Sequence, residues 1–242
     1  MADFLEGLSD ILFLDIETAS GHESIDKVPE RIRDEWLKKE KLLSKTEADY
    51  DPGSKYFERA GIYAEFGQVI SIGVGYLVVD QEEERISLRT KVFSDPSEKE
   101  LLEDFKALLG KKNWTLCAHN GKEFDFPYLS RRMLINGISL PEPLQMAGKK
   151  PWEIRHLDTL ELWKFGDYKH YTRLELLASV FGIPSSKDDL DGSQVNHTFH
   201  IEKDMDKINT YCLRDVEVTA RVYLAMNPQP QQFTLEVISI ED

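Results

Sequence analysis

Segments with strand character alternate with amphipathic helical segments along this chain, and that order limits its possible folds more than any other feature. Three strand candidates come first, followed by a helix, a strand, a helix, a further strand and more helices. The longest candidate, Gln68 to Val79 (QVISIGVGYLVV), is rich in β-branched residues, which favour a buried pleated surface. Such an order is typical of a mixed sheet with helices packed on it. The sequence therefore predicts an α/β fold with a mixed central β-sheet flanked by helices.

The bounds of these elements follow from the apolar periodicity and from the stop signals. One helix, for example, has apolar residues at 101, 102, 105, 108 and 109 and stops at Gly110. Within the long strand, Gly73 and Gly75 predict either a bulge or the close approach of another backbone. We expect strands over 11–15, 68–79, 86–93, 115–119 and 154–157, and helices over 29–44, 96–109, 127–136, 174–181 and 201–226.

The same pattern predicts one domain over residues 1–227 and a C-terminal tail over 228–242. A long, partly helical insertion, residues 20–66, follows the first strand. Between Lys27 and Lys45 it holds seven basic and four acidic residues, so it is locally basic. The tail begins as a Pro- and Gln-rich linker, and residues 233–240 predict either a further strand or a short docking peptide.

The charge of the chain narrows its classes of function. With 30 basic and 44 acidic residues the net charge is −14, which argues against a protein that coats nucleic acid by bulk attraction. It is compatible with an enzyme that grips a few nucleotides. No run approaches the roughly 18 apolar residues of a membrane span, and the N-terminus is acidic where a secretory signal is basic. We therefore expect a cytoplasmic protein without a membrane partner, with Cys117 and Cys212 as buried reduced thiols.

Two acidic residues end the first apolar strand candidate, in the sequence Phe-Leu-Asp-Ile-Glu-Thr at 13–18. Asp15 and Glu17 are two positions apart, so on a strand their side chains share a face at about 6.6 Å. Both can then reach one metal pair, while Ile16 points to the opposite face. The alternative is a pair of ordinary strand-end acids that face water.

A third acid, Asp125, lies just before Pro127 at the predicted start of a helix. An acid at this position also interacts favourably with the helix dipole, which is the alternative explanation for it. Asn120 and Phe124 in the same segment favour a functional site, because an amide can hold a phosphate and a ring can stack on a base. Asp158, at the end of a strand candidate, suits either a supporting carboxylate or a helix N-cap.

The fourth acid, Asp215, shares a helix face with Tyr211, four residues before it. It lies beside an apolar stripe, so it needs a hydrogen-bond partner at a helix–sheet contact or a metal. Four carboxylates in apolar settings repel one another unless cations join them, and oxygen-only ligands favour hard ions. We therefore predict a metal site for two divalent ions, Mg²⁺ or Mn²⁺, with these ligands: Asp15, Glu17, Asp125 and Asp215.

Three motifs, in this order along the chain, resemble those of the DEDD 3′–5′ exonuclease superfamily, which has an RNase H-like (DnaQ-like) fold. They are Asp-x-Glu at 15–17, Asn-x-x-x-Phe-Asp at 120–125 and Tyr-x-x-x-Asp at 211–215. One branch of the superfamily has His five residues before the last Asp, where this chain has Thr210. The other branch has Tyr four residues before it, as here. The chain thus resembles the DEDDy branch, which includes the proofreading domains of family-B DNA polymerases.

Three further stretches, 60–72, 167–171 and 185–195, are similar to a bacterial group described as predicted family-B-polymerase-associated exonucleases. The whole resemblance covers about residues 11–226, and the insertion at 20–66 is where the chain departs from compact members. The resemblance implies that Asp15, Glu17 and Asp215 hold the metals directly and that Asp125 acts largely through water. It implies that Tyr211 positions the attacking water. Contacts to substrate would come from Thr18 and the Ile16 backbone at the terminal sugar, and from Asn120 and Phe124 at the last nucleotides.

The expected function is therefore a metal-dependent 3′–5′ exonuclease that releases nucleoside 5′-monophosphates, with single-stranded DNA as first-choice substrate. A proofreading or repair role would operate in trans, with a DNA polymerase or another replication or repair protein as partner. The alternatives are the same chemistry on RNA, as in RNase D, and a non-catalytic nucleic-acid-binding or protein-binding module on the same fold. An adaptor role that uses the insertion or the tail could coexist with catalysis.

Overall fold

A mixed β-sheet forms the centre of the protein in the computed structural model. The structure describes residue 5 and residues 7–44, 50–80, 82–167, 169, 171–184, 190–227 and 234–240. The strands within these ranges are β1 (Ile11–Ser20), β2 (Gly67–Asp80), β3 (Arg85–Phe93), β4 (Thr115–Ala118), β5 (Leu157–Asp158) and β6 (Thr234–Ser239). They lie in the order β5-β4-β1-β2-β3-β6. Strands β1, β2 and β3 are antiparallel neighbours, β4 is parallel to β1 and to β5, and β6 is parallel to β3.

Helices flank this sheet and follow in the order that the apolar pattern predicts. They are α1 (Glu30–Leu43), α2 (Tyr56–Arg59), α3 (Glu98–Leu109), α4 (Asp125–Ile135), α5 (Thr159–Lys164), α6 (Leu174–Val180), α7 (Val195–His197) and α8 (Met205–Ala225). Short 3₁₀ turns lie at Ile25–Lys27, Ala60–Ile62, Glu142–Leu144 and Pro151–Glu153. The predicted α/β class with a mixed central sheet is confirmed, and it is consistent with an RNase H-like exonuclease fold.

Strand β1 separates the two main apolar clusters, because its side chains alternate between the faces of the sheet. Leu12, Leu14 and Ile16 are buried in the cluster that contains the apolar sides of α3 and α4. Phe13 is buried in the opposite cluster, where Val216 of α8 also packs. Since the odd-numbered residues face α8, Asp15 and Glu17 lie on the α8 face.

Close contact between α8 and β2 depends on two glycines in the strand. A Cβ atom on Gly73 would lie 3.0 Å from the Cys212 Sγ and 3.1 Å from the Cys212 carbonyl oxygen. A Cβ atom on Gly75 would lie 3.0 Å from the Val216 Cγ1. Of the two predicted alternatives, a close approach of another backbone is observed at Gly73, while Gly75 makes room for side chains. Both allow α8 to bring its residues to the end of β1.

The substitution Gly73→Ala is expected to destabilise the protein and to shift α8. The added methyl group meets the Cys212 carbonyl oxygen as well as the buried side chains of Cys212 and Val216, so overpacking should cost about 1–3 kcal/mol. In a chain of this size that lowers the melting temperature by roughly 2–4 °C per kcal/mol. Gly110→Ala is the matched control, because a Cβ atom there lies 3.6 Å from the nearest atom, which is ordinary contact. Equal melting temperatures for the two variants in thermal denaturation would contradict this account of Gly73.

The insertion has an apolar cluster of its own around Trp36, which is fully buried. Its ring packs edge-on against Tyr56 and Phe66, with centroids 5.4 and 5.2 Å away. Beside this cluster the fully buried Glu40 accepts hydrogen bonds from the backbone N–H groups of Gly53 and Lys55, both at 2.6 Å. The described part of the insertion therefore packs as a layer with its own apolar cluster.

Asn196 ties the insertion to the end of β1. Its amide nitrogen donates to the Phe57 carbonyl oxygen at 2.6 Å. Its amide oxygen accepts from the backbone N–H of Ser20 at 2.7 Å. These two bonds join three segments that are far apart in sequence, next to the strand that carries Asp15 and Glu17.

The observed bounds of three elements near the candidate residues differ from the predicted ones. The last long helix begins at Met205 rather than at residue 201, because Thr198–Glu202 forms a π-helical turn and Lys203 has a left-handed φ of 59°. Asp204 then caps α8 by accepting from the Lys207 N–H at 3.0 Å. Helix α4 begins at Asp125 instead of Pro127. Strand β1 continues to Ser20, five residues beyond the predicted end.

The strand predicted over 154–157 is present but shorter and later in the chain, since only Leu157 and Asp158 pair with β4. The His156 side chain explains this, because its Nδ1 accepts the Leu116 backbone N–H at 3.1 Å. That donor lies on β4, so the imidazole ring takes the place of a strand partner. The other ring nitrogen lies 2.6 Å from the Pro143 carbonyl oxygen, to which it donates.

The tail contributes a strand to the sheet, which is one of the two predicted alternatives. β6 pairs with β3 in register from Arg85↔Thr234 to Thr90↔Ser239. The predicted linker at 228–232 and Phe233 lie outside the described residues. Across the part of the chain that the structure describes, no helix is both long and apolar enough to cross a membrane.

Candidate active site

Asp15 and Glu17 lie side by side near the end of β1. One carboxylate oxygen from each and the Sγ of Cys212 all lie within 4.8 Å of one another. Asp15 is partly exposed, and Glu17 is buried with 7% of its surface exposed. The prediction that these two residues share a face of one strand is confirmed.

A β-bulge follows these residues and sets the direction of the chain beyond them. Glu17 pairs with Ser71, but Thr18 pairs with Val69, so Ile70 of β2 has no opposite residue in β1. Bulges bend a strand and re-aim its side chains, and they are frequent next to active sites. The Thr18 hydroxyl contacts the Tyr128 hydroxyl beyond the bulge, and the Tyr128 hydroxyl donates to the Gly61 carbonyl oxygen at 2.7 Å.

Asp125 reaches the same region from the first turn of α4. Its side chain is buried, and the backbone N–H groups of Asp125 and Ile16 donate to its carboxyl group. Burial nevertheless raises the pKa of Asp125 to about 7, and the carboxylates of Asp158 and Asp215 also raise it. The contact with Ile16 ties the start of α4 to the middle of β1.

Tyr211 and Asp215 share one face of α8, as their i, i+4 spacing predicts, and that face points toward the carboxylates of Asp15, Glu17 and Asp125. The Tyr211 hydroxyl donates a hydrogen bond to the Asp215 carboxylate. Tyr211 is 7% exposed, and a cavity of about 280 Å³ opens beside it, lined in part by Leu190, Thr210 and Arg214. The cavity is large enough to hold several water molecules next to the tyrosine.

The carboxylates raise one another's pKa. Burial is the largest cause at both Asp15 and Glu17, and the charge of Asp215 is the second. Asp125 raises both further. Four ionised carboxylates this close together repel one another, so holding all four charges at neutral pH costs free energy unless cations bind. The donor set consists of carboxylate oxygens, which suit hard divalent ions, so these residues fit the predicted metal pair.

Cys212 is a site residue whose place the sequence analysis missed. It is fully buried, as predicted, but its Sγ lies 3.4 Å from the Asp15 carbonyl oxygen and 3.7 Å from the Asp15 Oδ2. It also accepts the Gly73 N–H at 3.1 Å. Burial raises the pKa of the Cys212 thiol well above its usual range, so it supports Asp15 as a neutral donor. The available signal was its position between Tyr211 and Asp215 on one helix.

The turn after β4 carries Asn120 and Phe124, and Asp158 holds it in place. The Asp158 carboxylate accepts from the backbone N–H groups of Asn120 at 3.0 Å and Lys122 at 3.1 Å. It also caps α5 by accepting from the Leu160 N–H at 2.9 Å, so the predicted N-cap role is confirmed. Asn120 has a left-handed φ of 65°, which this pair of bonds stabilises.

The predicted substrate contacts differ in how accessible they are. Asn120 and Phe124 are half-buried, and the Phe124 ring packs at 5.4 Å from Tyr128. Thr18 is also half-buried. The Ile16 side chain lies in the apolar core with 5% exposed, so it is not available to a ligand.

Comparison with known proteins identifies one family. No curated protein matches the chain. Residues 62–240 match a family described as "Predicted 3'-5' exonuclease related to the exonuclease domain of PolB". The matched residues include Asp125, Tyr211 and Asp215, while Asp15 and Glu17 precede them. Because the match covers well over half of the chain, this protein belongs to that family of predicted 3′–5′ exonucleases.

Proposed function

We propose that this protein is a metal-dependent 3′–5′ exonuclease that removes nucleoside 5′-monophosphates from the 3′ end of single-stranded DNA. The observation that carries the proposal is the cluster of four carboxylates at the end of β1. Asp15 and Glu17 place oxygens within 4.8 Å, and Asp125 and Asp215 raise the pKa of both. Membership in the predicted exonuclease family supports the same activity.

Asp15, Glu17 and Asp215 would hold two divalent cations directly, and Asp125 would act largely through water. Bound Mg²⁺ or Mn²⁺ supplies a more acidic water and stabilises the negative charge on the leaving oxygen. Cys212 donates to Asp15 from beneath and fixes the direction of that carboxylate. The Ile16 N–H does the same for Asp125.

Tyr211 would orient the attacking water by a hydrogen bond. Burial raises the pKa of its phenol far above the ordinary value of 10, and the charge of Asp215 raises it further. A phenol in this setting keeps its proton at neutral pH, so it positions a water molecule rather than deprotonating it. The water oxygen would then bond to phosphorus while the water loses a proton to solvent. The bond between phosphorus and the 3′ oxygen would break, and that oxygen would take up a proton from solvent. The terminal nucleotide leaves as a 5′-monophosphate.

The strand end would lie along the turn after β4. Asn120 and Phe124 would contact the last nucleotides, and Thr18 and the Ile16 backbone would contact the terminal sugar. The preference for DNA rests on the relation of the family to a polymerase exonuclease domain. A DNA polymerase or another replication or repair protein is the partner that this relation favours.

A time course on 5′-labelled single-stranded DNA and on RNA of the same sequence tests the proposal, with Mg²⁺, Mn²⁺ or a chelator present. We expect a ladder that shortens from the 3′ end of the DNA and that the chelator abolishes. Faster shortening of the RNA than of the DNA would support the alternative that the protein is an RNA exonuclease like RNase D. Internal fragments, or no cleavage by folded protein with either metal, would reject the exonuclease and favour a binding module.

A further inference from the structure

We propose that the loop between α5 and α6 is a second contact region for the nucleic-acid strand, on the 5′ side of the terminal nucleotide. Two exposed aromatic residues, Phe165 and Tyr171, would stack on bases, and Lys169 and Arg173 would bind phosphates. The inference rests on the proposed function, because it names where the substrate of that site continues. Tyr168 and His170 of the same loop lie outside the described residues and are not part of the proposed region.

The first observation is the exposure of the two rings. Phe165 is 89% exposed and Tyr171 is 61% exposed, so burial explains neither of them. Phe165 also has a left-handed φ of 45°, at the position that follows α5. Glycine is the usual residue there, and a bulky side chain with positive φ is strained. Strain of this kind at an exposed aromatic residue is a sign of a role in binding.

The second observation is that one end of the loop is fixed beside the turn that carries Asn120. One His119 ring nitrogen donates to the Thr172 carbonyl oxygen at 2.8 Å. Helix α5, which leads into the loop, begins next to the same turn, because the Asp158 carboxylate caps that helix and also accepts the Asn120 N–H.

The Tyr171 ring confirms that this end of the loop lies against the turn. It meets the His119 ring edge-on, with centroids 6.5 Å apart. The carboxylates of Asp125 and Asp158 contribute to the electrostatic environment of the Tyr171 hydroxyl. This end of the loop therefore lies beside the candidate active site.

The third observation is the charge of the loop, in which two basic residues, Lys169 and Arg173, outnumber one acid, Asp167. Both cations are exposed, although the protein as a whole has a net charge of −14. In the sequence, Lys169 lies between Phe165 and Tyr171, and Arg173 follows Tyr171. Interleaved aromatic and cationic side chains are how proteins bind single strands without reading sequence. Stacking tolerates any base, and the cations follow the phosphates, so the occupant that fits is a single-stranded nucleic acid.

The test compares strand affinity in variants of the full-length protein. Binding of a 12-nucleotide single-stranded DNA is measured by fluorescence anisotropy in an Asp15→Asn background, which prevents cleavage. Phe165→Gly and Tyr171→Ala should each weaken binding about tenfold, as expected for loss of one stacked base. Arg173→Gln should weaken binding and flatten its salt dependence. Tyr171→Phe should bind like the parent, because it keeps the ring.

Two controls separate binding from folding. Phe165→Gly removes a strained backbone, so its melting temperature should equal or exceed that of the parent while its affinity falls. Trp152→Ala removes a ring that is 77% exposed but precedes β5, whereas α5 and the loop follow that strand, so it should leave the affinity unchanged. The proposal would be overturned if Phe165→Gly and Tyr171→Ala bound the strand as tightly as the parent. It would also be overturned if Trp152→Ala weakened binding as much as they do.

Kinetics distinguish this inference from the proposed function. In the cleaving protein, the loop variants should raise KM for the 12-nucleotide strand at unchanged kcat. They should not change either constant for the 4-nitrophenyl ester of thymidine 5′-monophosphate, which has no upstream nucleotides. If the wild-type protein binds the strand through the loop but never cleaves it, the exonuclease proposal is rejected and the loop proposal stands. Absence of strand binding would reject the loop proposal.

Discussion

Asp15→Asn is expected to abolish nuclease activity while making the metal-free protein more stable. The loss of one metal-binding carboxylate should remove several kcal/mol of transition-state stabilisation, which corresponds to a decrease on the order of 10³-fold in kcat. The stability change has the opposite sign, because Asp15 lies in a group of carboxylates that repel it. Its pKa is raised first by burial and then by Asp215, Glu17 and Asp125.

An amide at position 15 keeps the size of the side chain and can still accept the hydrogen bond from Cys212. It has no charge, so the repulsion with Glu17 disappears. Each kcal/mol that is regained should raise the melting temperature by roughly 2–4 °C in a chain of this length. Activity and stability should therefore change in opposite directions in a single variant.

Glu40→Gln is the matched control for Asp15→Asn, since Glu40 is also fully buried. Glu40 accepts from the Tyr50 hydroxyl and from the N–H groups of Gly53 and Lys55. Replacing it weakens charge-assisted bonds worth about 1.5–3 kcal/mol each, so this variant should be less stable but active. The measurements are the 3′ ladder and a thermal melt in chelator. An active Asp15→Asn, or one that melts below wild type, would contradict the assignment of Asp15.

Divalent cations are expected to raise the melting temperature strongly at pH 8 and weakly at pH 5. The folded carboxyl groups have raised pKa values, so between their unfolded and folded pKa values the folded protein binds more protons than the unfolded chain. Metal-free stability therefore falls as the pH rises through that window. For Asp125 the window runs from its ordinary 3.8 to about 7.

The difference between those two values corresponds to on the order of 4 kcal/mol of stability from Asp125, complete below pH 3.8 and lost above pH 7. Cations bind the deprotonated site and not the protonated one, so their effect grows with pH. At a concentration 100 times the dissociation constant they add about 2.7 kcal/mol. That corresponds to roughly 5–10 °C in melting temperature at pH 8.

Thermal melts with Mg²⁺, Mn²⁺ or sodium at equal ionic strength, from pH 5 to pH 8, measure this effect. Asp125→Asn should flatten the fall of metal-free stability with pH, and Asp15→Asn should remove most of the stabilisation by cations. A wild-type melting temperature that does not respond to either divalent ion at pH 8 would count against a metal site here.

Local patterns in the sequence predicted most of the secondary structure. The helix over 96–109 is observed at Glu98–Leu109, and the strand over 68–79 is observed at Gly67–Asp80. Apolar periodicity and helix stop signals act within a few residues, so they can be read without knowing the fold. The placement of Asp15 with Glu17, and of Tyr211 with Asp215, follows from the same short-range periods.

Packing between distant segments decided the rest. The bulge after Glu17 and the start of α8 at Met205 depend on which backbone groups find partners. Cys212 lies beneath Asp15 because Gly73 lets the helix approach the strand. The sequence determined which residues carry charge and which face of its own element each one occupies. The tertiary structure decided which of those faces meet, because hydrogen bonds and contacts across about 200 residues of chain leave no periodic signal in the sequence.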